Sequence, residues 1–275
     1  MSDRLFFAAV VTQLFFALMI RGELRAAPAD EEFSQATRLA AAGAFEDSVA
    51  HWKKAETLFE QAKNFAGQVE TEIHLAAAYH ALGQTRLATE TFVRAQDLAS
   101  LKDPKHLAQI KAGLGAIYIL SSPPLKDHSL HGHMPEHEEM AESLLKESIK
   151  LSRAAKDRHT EAVARNNLGN FYSYRNRGDD AAKEYKAANE LATTSSDPAL
   201  ASQACANLAR TYVDSGEYDN AKTWAGRVVE KASRLPDSHD KAYQLIGASR
   251  TFNAIFLAAP DHDNALRLRA FEALQ

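Results

Sequence analysis

The chain has 275 residues, 45% of them hydrophobic, so it can bury a sizeable core in one large domain or in an elongated array. Its formal net charge of −4 leaves no excess of basic residues for a nucleic-acid surface. Cys205 is the only cysteine, which excludes an internal disulfide and a zinc site built from several thiolates.

The first 29 residues have the pattern of an export signal. Residues 5–20 are almost entirely apolar and follow Arg4, and Ala27 and Ala29 form an A-x-A pattern after them. These sixteen residues are fewer than the roughly twenty that a membrane-spanning helix needs. We therefore expect residues 1–29 to be cleaved and the protein to be periplasmic or extracellular. The alternatives are an uncleaved membrane anchor and a buried first helix of a cytoplasmic protein, and the intact mass from the native host distinguishes them from cleavage.

Residues 30–258 repeat one pattern at intervals of 39 and 40 residues, apart from one longer interval. Aligned on four tyrosines, the repeats share a leucine four positions earlier and a glycine or alanine three positions earlier. An asparagine or aspartate fifteen positions earlier suits a helix N-cap, and a turn-forming residue lies four positions later. The spacing predicts two amphipathic helices per repeat that approach closely at the small residues. The tyrosines are Tyr79, Tyr118, Tyr172 and Tyr212, the N-cap residues are Asn64, Asp103, Asp157 and Asp197, and the turn residues are Gly83, Ser122, Asn176 and Gly216.

This pattern resembles the tetratricopeptide repeat, and the resemblance covers residues 30–258, or about five and a half repeats. The period is longer than the family's usual one of about 34 residues, and is similar to the extended-helix variant of kinesin light chains, Pins-related scaffolds and many bacterial sensors. The resemblance implies an all-α fold, a right-handed superhelical solenoid of antiparallel helix pairs stabilised by stacking of neighbours. The tryptophan often found early in the first helix is replaced by Glu72, Lys111, Arg165 and Cys205.

The third repeat carries an insertion at residues 121–136. Twenty-three residues, instead of nine, separate Tyr118 from the next packing alanine, Ala141. Pro135 and the acidic residues that follow it suit the first turn of a resumed helix. We interpret the insertion as a solvated polar loop. The alternative is a zinc or copper site, although the spacing of the candidate ligands matches no specific zinc motif; these ligands are His128, His131, His133 and His137.

In tetratricopeptide arrays the first helix of each repeat lines the concave face, so the resemblance indicates where a ligand would bind. Helical geometry assigns to that face the positions two and six before the repeat aromatic and one or two after it. In the second and third repeats these positions are mostly isoleucine and alanine, with His80 as the polar exception. In later repeats they are polar, and with neighbouring asparagines they form the candidate partner-binding groove: Asn166, Asn167, Asn170, Tyr174, Asn207, Arg210, Asp214, Arg250 and Asn253.

These side chains suit a peptide ligand. Asparagine amides both donate to and accept from a peptide backbone, and Arg210 or Arg250 can hold a carboxylate. Asn167 and Asn207 are similar to the asparagine ladder with which kinesin-light-chain-like arrays grip a peptide backbone.

Once the residues are assigned to helices, none of them forms a nucleophile–base set, a phosphate-binding glycine loop or a pair of catalytic acids. Catalysis is therefore not expected. The sequence predicts a non-catalytic scaffold for a protein or peptide, without a cofactor, a nucleic-acid partner or membrane contact beyond a possible N-terminal anchor. The alternatives are a periplasmic protein that binds a metal or small ligand through the histidine-rich insertion, and a cytoplasmic peptide-sensing regulator. Residues 259–275 are predicted to form a closing helix with Leu266, Ala270 and Leu274 facing inward.

Overall fold

The computed structural model describes residues 28–99, 103–120, 135–235 and 239–258, together with Leu268. These residues form eleven α-helices and contain no β-strand. None of the described helices is both long and apolar enough to cross a lipid bilayer. In chain order the helices are α1 (Pro28–Ala41), α2 (Phe45–Gln61), α3 (Phe65–Ala81), α4 (Thr85–Leu98), α5 (Pro104–Leu120), α6 (Pro135–Ala155), α7 (Arg158–Tyr174), α8 (Gly178–Thr194), α9 (Pro198–Asp214), α10 (Tyr218–Ala232) and α11 (His239–Ala258).

Helices α1 to α10 form five antiparallel hairpins, and α11 begins a sixth. Each helix packs against the next, and α3, α5, α7, α9 and α11 also contact one another in that order. The first helices of successive repeats therefore form one continuous layer. This arrangement confirms the predicted solenoid of antiparallel helix pairs.

Helix α5 joins two large hydrophobic clusters. Ile110 and Leu114 belong to the cluster formed with α1 to α4, whereas Ala112 and Ile119 belong to the cluster that continues to α11. Tyr118 packs against both clusters. Because opposite faces of one helix bury apolar surface in both directions, the two halves of the array share one core.

The predicted N-cap residues cap first helices. The side-chain oxygens of Asn64, Asp157 and Asp197 each accept a hydrogen bond from the backbone N–H three residues later, at 3.0 Å. Asp103 does the same for the N–H of His106 at 3.2 Å. Each bond satisfies a donor that the first helical turn leaves unpaired, so these residues fix where the first helix begins.

The turn inside each hairpin uses a left-handed backbone conformation. Gly83 and Gly216 have φ angles of 71° and 77°, and Asn176 has a φ of 56°, as their residue types predict. The carbonyl of the repeat tyrosine then accepts a hydrogen bond from the residue after the turn former, at 2.8–2.9 Å. Ser122, the fourth predicted turn residue, lies outside the described residues. The sequence did not predict the positive φ angles of Lys63, Lys156 and Ser196 at the turns between repeats.

In the third and fourth repeats the small residue of the first helix sits under a large residue of the second helix. A Cβ atom on Gly169 would lie 2.6 Å from Tyr185, and one on Gly115 would lie 2.7 Å from Leu145. Such distances are shorter than any real Cβ contact, so only glycine fits beneath these side chains. Leu145 is at the repeat position of Tyr185 only when the 14 extra residues of the insertion are left out of the count. Its contact with Gly115 therefore supports the repeat alignment.

Charged residues occupy the place where the family often has tryptophan, and their partners lie on the second helix of the same repeat. Oε1 of Glu72 accepts a hydrogen bond from Nε of Arg94 at 3.2 Å, and Nζ of Lys111 lies 3.0 Å from a carboxylate oxygen of Glu147. Arg94 and Glu147 occupy the same repeat position once the insertion is discounted. The second and third repeats therefore contain the same ion pair with its charges exchanged.

Three predicted boundaries can be compared with the structure. Pro28 and Ala29, which the prediction assigned to the export segment, belong to helix α1, and α11 is described as far as Ala258. Helix α6 begins at Pro135, so the last two residues assigned to the insertion belong to the helix. The proposed export signal and the predicted closing helix lie almost entirely outside the described residues.

We predict that Gly169→Ala destabilises the protein by about 1–3 kcal/mol, because the new methyl group overpacks against the buried ring of Tyr185. Gly226→Ala in α10 is the matched control, since nothing lies within 4 Å of a Cβ atom there. Alanine favours a helix interior by up to about 1 kcal/mol over glycine, so the control should be neutral or stabilising. Urea unfolding followed by circular dichroism checks both variants, and equal stability of the two would contradict the packing argument.

We predict that Glu72→Gln flattens the pH dependence of stability between pH 4.5 and 7. Burial raises the pKa of Glu72 to about 7 despite the opposing charge of Arg94, and the nearby Glu56 carboxylate adds to the increase. In this window the folded state holds a proton that the unfolded state has released, so this group's contribution to stability is lost as the pH rises. Melting temperatures from pH 4.5 to 8 should therefore fall more steeply for the wild type than for Glu72→Gln. The exposed Glu90→Gln is the control and should leave the slope of the wild type unchanged.

Candidate partner-binding face

The structure places the predicted groove residues on three neighbouring first helices. Helix α7 contacts α9, and α9 contacts α11. Six of the residues are at least partly accessible at equivalent places on this layer, and we call them the polar face: Asn170, Tyr174, Arg210, Asp214, Arg250 and Asn253.

Asn166 is not an exposed groove residue, contrary to the prediction. Only 3% of it is exposed, and Ile73 and Ala112 at the same repeat position are also buried, at 8% and 3% exposure. The position six before the repeat aromatic therefore packs inside the array in these three repeats. Helical geometry on an isolated helix cannot reveal this burial, because the neighbouring first helix supplies the cover.

Asn166 instead belongs to an amide network that links α7 to α9. Nδ2 of Asn207 donates hydrogen bonds to Oδ1 of Asn166 at 3.1 Å and to Oδ1 of Asn170 at 3.2 Å. The hydroxyl of Tyr185 on α8 donates to the same Oδ1 of Asn170 at 2.8 Å. Burial raises the pKa of the Tyr185 hydroxyl, although the charge of Arg210 opposes the shift, so the hydroxyl remains a donor at neutral pH.

This network orients the amide of Asn170. Its oxygen accepts two hydrogen bonds from the protein, while its NH₂ group makes none with the described residues. The NH₂ group is therefore available to a carbonyl or carboxylate oxygen of a ligand. Asn167, which has the same repeat position as Asn207, is half-buried and makes no such bridge within the described residues.

Sequence reasoning missed Tyr185 because it lies on a second helix. The equivalent residues of the other repeats are Phe92, Leu145 and Ala225. Among these four residues only Tyr185 carries a hydroxyl group. The available signal was the hydroxyl group of Tyr185, because the equivalent residues of the other repeats are all apolar.

The two arginines of the polar face have no acidic partner in the described part of the chain. Arg210 and Arg250 are both exposed and form neither an ion pair nor a hydrogen bond with described residues. Asp214 follows Arg210 by one helical turn and is exposed, but forms no ion pair with it. Both guanidinium groups can therefore bind a carboxylate of a ligand without first breaking an internal salt bridge.

The N-terminal half of the first-helix layer has a different chemistry. Ala77 and Ala81 are exposed there, and burial lowers the pKa of His80, so this imidazole is neutral at neutral pH. His74 packs against two aromatic rings, stacked on Trp52 with ring centroids 5.6 Å apart and edge-on to Phe33. At the positions equivalent to the polar face, this half therefore presents small groups and a neutral imidazole instead of charged side chains.

The histidine-rich insertion lies mostly outside the described residues, including His128, His131 and His133. His137 lies in the first turns of α6, with its ring centroid 5.3 Å from that of Tyr118. Among the residues that the structure describes, no three histidine, cysteine or acidic side chains form a group that could hold a metal ion. The alternative of a zinc or copper site therefore stays a prediction.

The comparisons with known proteins agree with this architecture. A family model described as tetratricopeptide repeat matches residues 204–232, which run from α9 to the end of α10. No curated protein matches the sequence.

Several solved structures share the fold at low sequence identity. A Rap protein complexed with Competence and Sporulation Factor has a TM-score of 0.68 and 17% identity, over 90% of this chain and 70% of that one. BtubC from P. vanneervenii has a TM-score of 0.58 and 17% identity, over 90% and 91% of the two chains. A thermophilic tetratricopeptide-repeat protein from Thermus thermophilus has a TM-score of 0.56 and 18% identity, over 90% and 98%. The family-model match identifies residues 204–232 as a tetratricopeptide repeat, and the solved structures show that 90% of this chain shares the fold of such repeat arrays.

Proposed function

We propose that the chain is a non-catalytic scaffold that binds a protein or peptide on the polar face. The observation that carries this proposal is that Arg210 and Arg250, on neighbouring helices, are exposed and unpaired among the described residues, beside the oriented amide of Asn170. Charged groups on a protein surface are often compensated by neighbours, as Arg177 is by Asp180. Two arginines at one repeat position that no described residue compensates favour an external anionic partner.

A peptide fits this surface better than a small molecule does. The polar face extends over three helices, and its hydrogen-bonding and charged groups are spread along it instead of converging in one cavity. Asn170 suits a backbone carbonyl, and the arginines suit side-chain or terminal carboxylates. The Rap protein, which has the same fold, forms a complex with Competence and Sporulation Factor, and this supports the proposal by analogy of fold alone.

We predict that Arg210→Ala/Arg250→Ala removes the native partner without unfolding the array. Both side chains are exposed and unpaired among the described residues, so their loss should change the melting temperature little. Crosslinking and affinity capture of the full chain in its native host, quantified by mass spectrometry, checks the partner. Arg86→Ala/Arg234→Ala is the control, because it removes the same charge from exposed surface pairs that lie away from the first-helix layer. A partner recovered equally from both double variants would refute the proposal.

We predict that Tyr185→Phe weakens partner binding although Tyr185 belongs to the second helix α8. The substitution removes the hydrogen bond that orients Asn170 and leaves the ring packing unchanged. Tyr172→Phe is the matched control, because it also removes one hydroxyl, which donates to Oε1 of Glu142 at 2.9 Å, away from the amide network. Each variant should lose about 1 kcal/mol of stability, but only Tyr185→Phe should reduce the amount of crosslinked partner. Equal partner yields from the two variants would show that the orientation of Asn170 is irrelevant to binding.

A further inference from the structure

The junction between the fifth and sixth repeats is open at a place where an earlier junction is filled by a ring. Gly113 on α5 and Gly247 on α11 both lie five positions before the repeat aromatic. A Cβ atom on Gly113 would lie 2.1 Å from the ring of Phe92, on the second helix of the preceding repeat. Nothing lies within 4 Å of a Cβ atom on Gly247. The ring that covers Gly113 therefore has no counterpart over Gly247.

The side chain that is missing from this junction is that of Ala225 on α10. Ala225 has the repeat position of Phe92 and Tyr185, both of which carry aromatic rings. Its own side chain is a single methyl group and is fully buried. The fifth repeat therefore supplies no large side chain to the space over Gly247.

Ala206 on α9 borders the same opening. In the preceding junction Asn166 accepts a hydrogen bond from Asn207, so the residues six and five before successive aromatics face each other. The residues at these positions in the next junction are Ala206 and Gly247. Ala206 is partly exposed, whereas Asn166 is only 3% exposed. The lost cover of Ala206 and the open space over Gly247 are two separate signs of one notch, which we define by Ala206, Ala225 and Gly247.

A buried acceptor without a partner lies one helical turn before Gly247. Gln244 is 8% exposed, and its Nε2 donates a hydrogen bond to the carbonyl of Ala199 on α9 at 3.1 Å. The amide group is therefore held between α9 and α11. Its Oε1 is buried and accepts no hydrogen bond from the described residues. Because a buried oxygen without a donor is destabilising, a donor group on an occupant of the notch would be stabilised there.

Two arginines lie next to the notch on its exposed side. Arg210 lies one turn after Ala206 on α9, and Arg250 lies one turn after Gly247 on α11. Residues three or four apart on a helix are surface neighbours. Both arginines are exposed and unpaired among the described residues. An apolar group that enters the notch is therefore favoured when a carboxylate accompanies it.

We infer that the notch binds a tyrosine or tryptophan side chain of the partner, next to an acidic residue of the same segment. The ring of the partner takes the place that Phe92 fills from within the chain in the earlier junction. Its O–H or N–H group donates to Oε1 of Gln244, and the acidic residue interacts with Arg210 or Arg250. This inference rests on the proposed function and adds to it the residue by which the partner is anchored.

Three tetrapeptides, each acetylated and amidated at its ends, test the inference by NMR titration of the ¹⁵N-labelled full chain. Their sequences are GYEG, GFEG and GAEG. The chain has only 12 glycines, and the amide signal of Gly247 is the one that disappears in Gly247→Leu. We expect GYEG to shift this signal and to bind about tenfold more tightly than GAEG, because the tyrosine ring is buried in the notch. GFEG should bind about threefold more weakly than GYEG, because it lacks the donor.

A leucine at position 247 should close the notch without unfolding the array. Gly226→Leu in α10 is the matched control, because nothing lies within 4 Å of a Cβ atom at either glycine. Leucine is favoured over glycine in a helix interior, so both variants should melt at or above the temperature of the wild type. Gly247→Leu should bind GYEG no more tightly than GAEG, whereas Gly226→Leu should keep the tenfold preference.

Several results would overturn the inference. One is equal affinity of the wild type for GYEG and GAEG, and another is an unshifted Gly247 signal at up to about 10 mM GYEG. A melting temperature of Gly247→Leu well below that of Gly226→Leu would also overturn it, because the notch would then be filled by the chain itself. Equal affinity for GYEG and GFEG would refute the contact with Gln244 and the choice of tyrosine or tryptophan.

The native partner tests the proposed function separately. If the crosslinked partner depends on Arg210 and Arg250 but is recovered equally from Gly247→Leu and Gly226→Leu, the proposed function survives and the inference fails. If the partner is independent of both arginines, the proposed function fails whatever the peptides show.

Discussion

The close contact between the two helices of each hairpin is the constraint on which the rest of the structure depends. Gly169 allows the ring of Tyr185 to lie directly on the backbone of α7, and Gly115 does the same for Leu145. In these two hairpins the contact sets how closely the second helix approaches the first. In the fourth repeat it also brings the Tyr185 hydroxyl to Asn170, so the packing of the hairpin orients a group of the polar face.

Charge pairs between the helices of the second and third hairpins add specificity to this packing. A tryptophan at this position would contribute only apolar burial. The pairs Glu72–Arg94 and Lys111–Glu147, in contrast, form only when the two helices are aligned in one register. A shift of one helix by a single residue would leave Glu72, which is 2% exposed, buried without a counter-ion. The exchanged charges in neighbouring hairpins also disfavour pairing a helix with the wrong repeat, because like charges would meet.

Local chemistry was predictable from the sequence, and contacts between repeats were not. Asp157 and Gly216 act within a few residues of their own positions, so a cap and a turn follow from residue type and spacing. Asn166 was placed on the surface because its cover comes from α9, about 40 residues later in the chain. Lys63 has a positive φ although lysine does not signal one, because the tight turn between α2 and α3 requires that conformation whatever the side chain.

The repeat register separates the residues that build the array from those that can recognise a partner. Positions three and four before the aromatic are packed in all of the complete repeats that carry the tyrosine, whereas the position two before it stays at least partly accessible. That accessible position is alanine in Ala77 and Ala116 and arginine in Arg210 and Arg250. Charge can therefore be placed on any first helix without disturbing the hairpin contact beneath it.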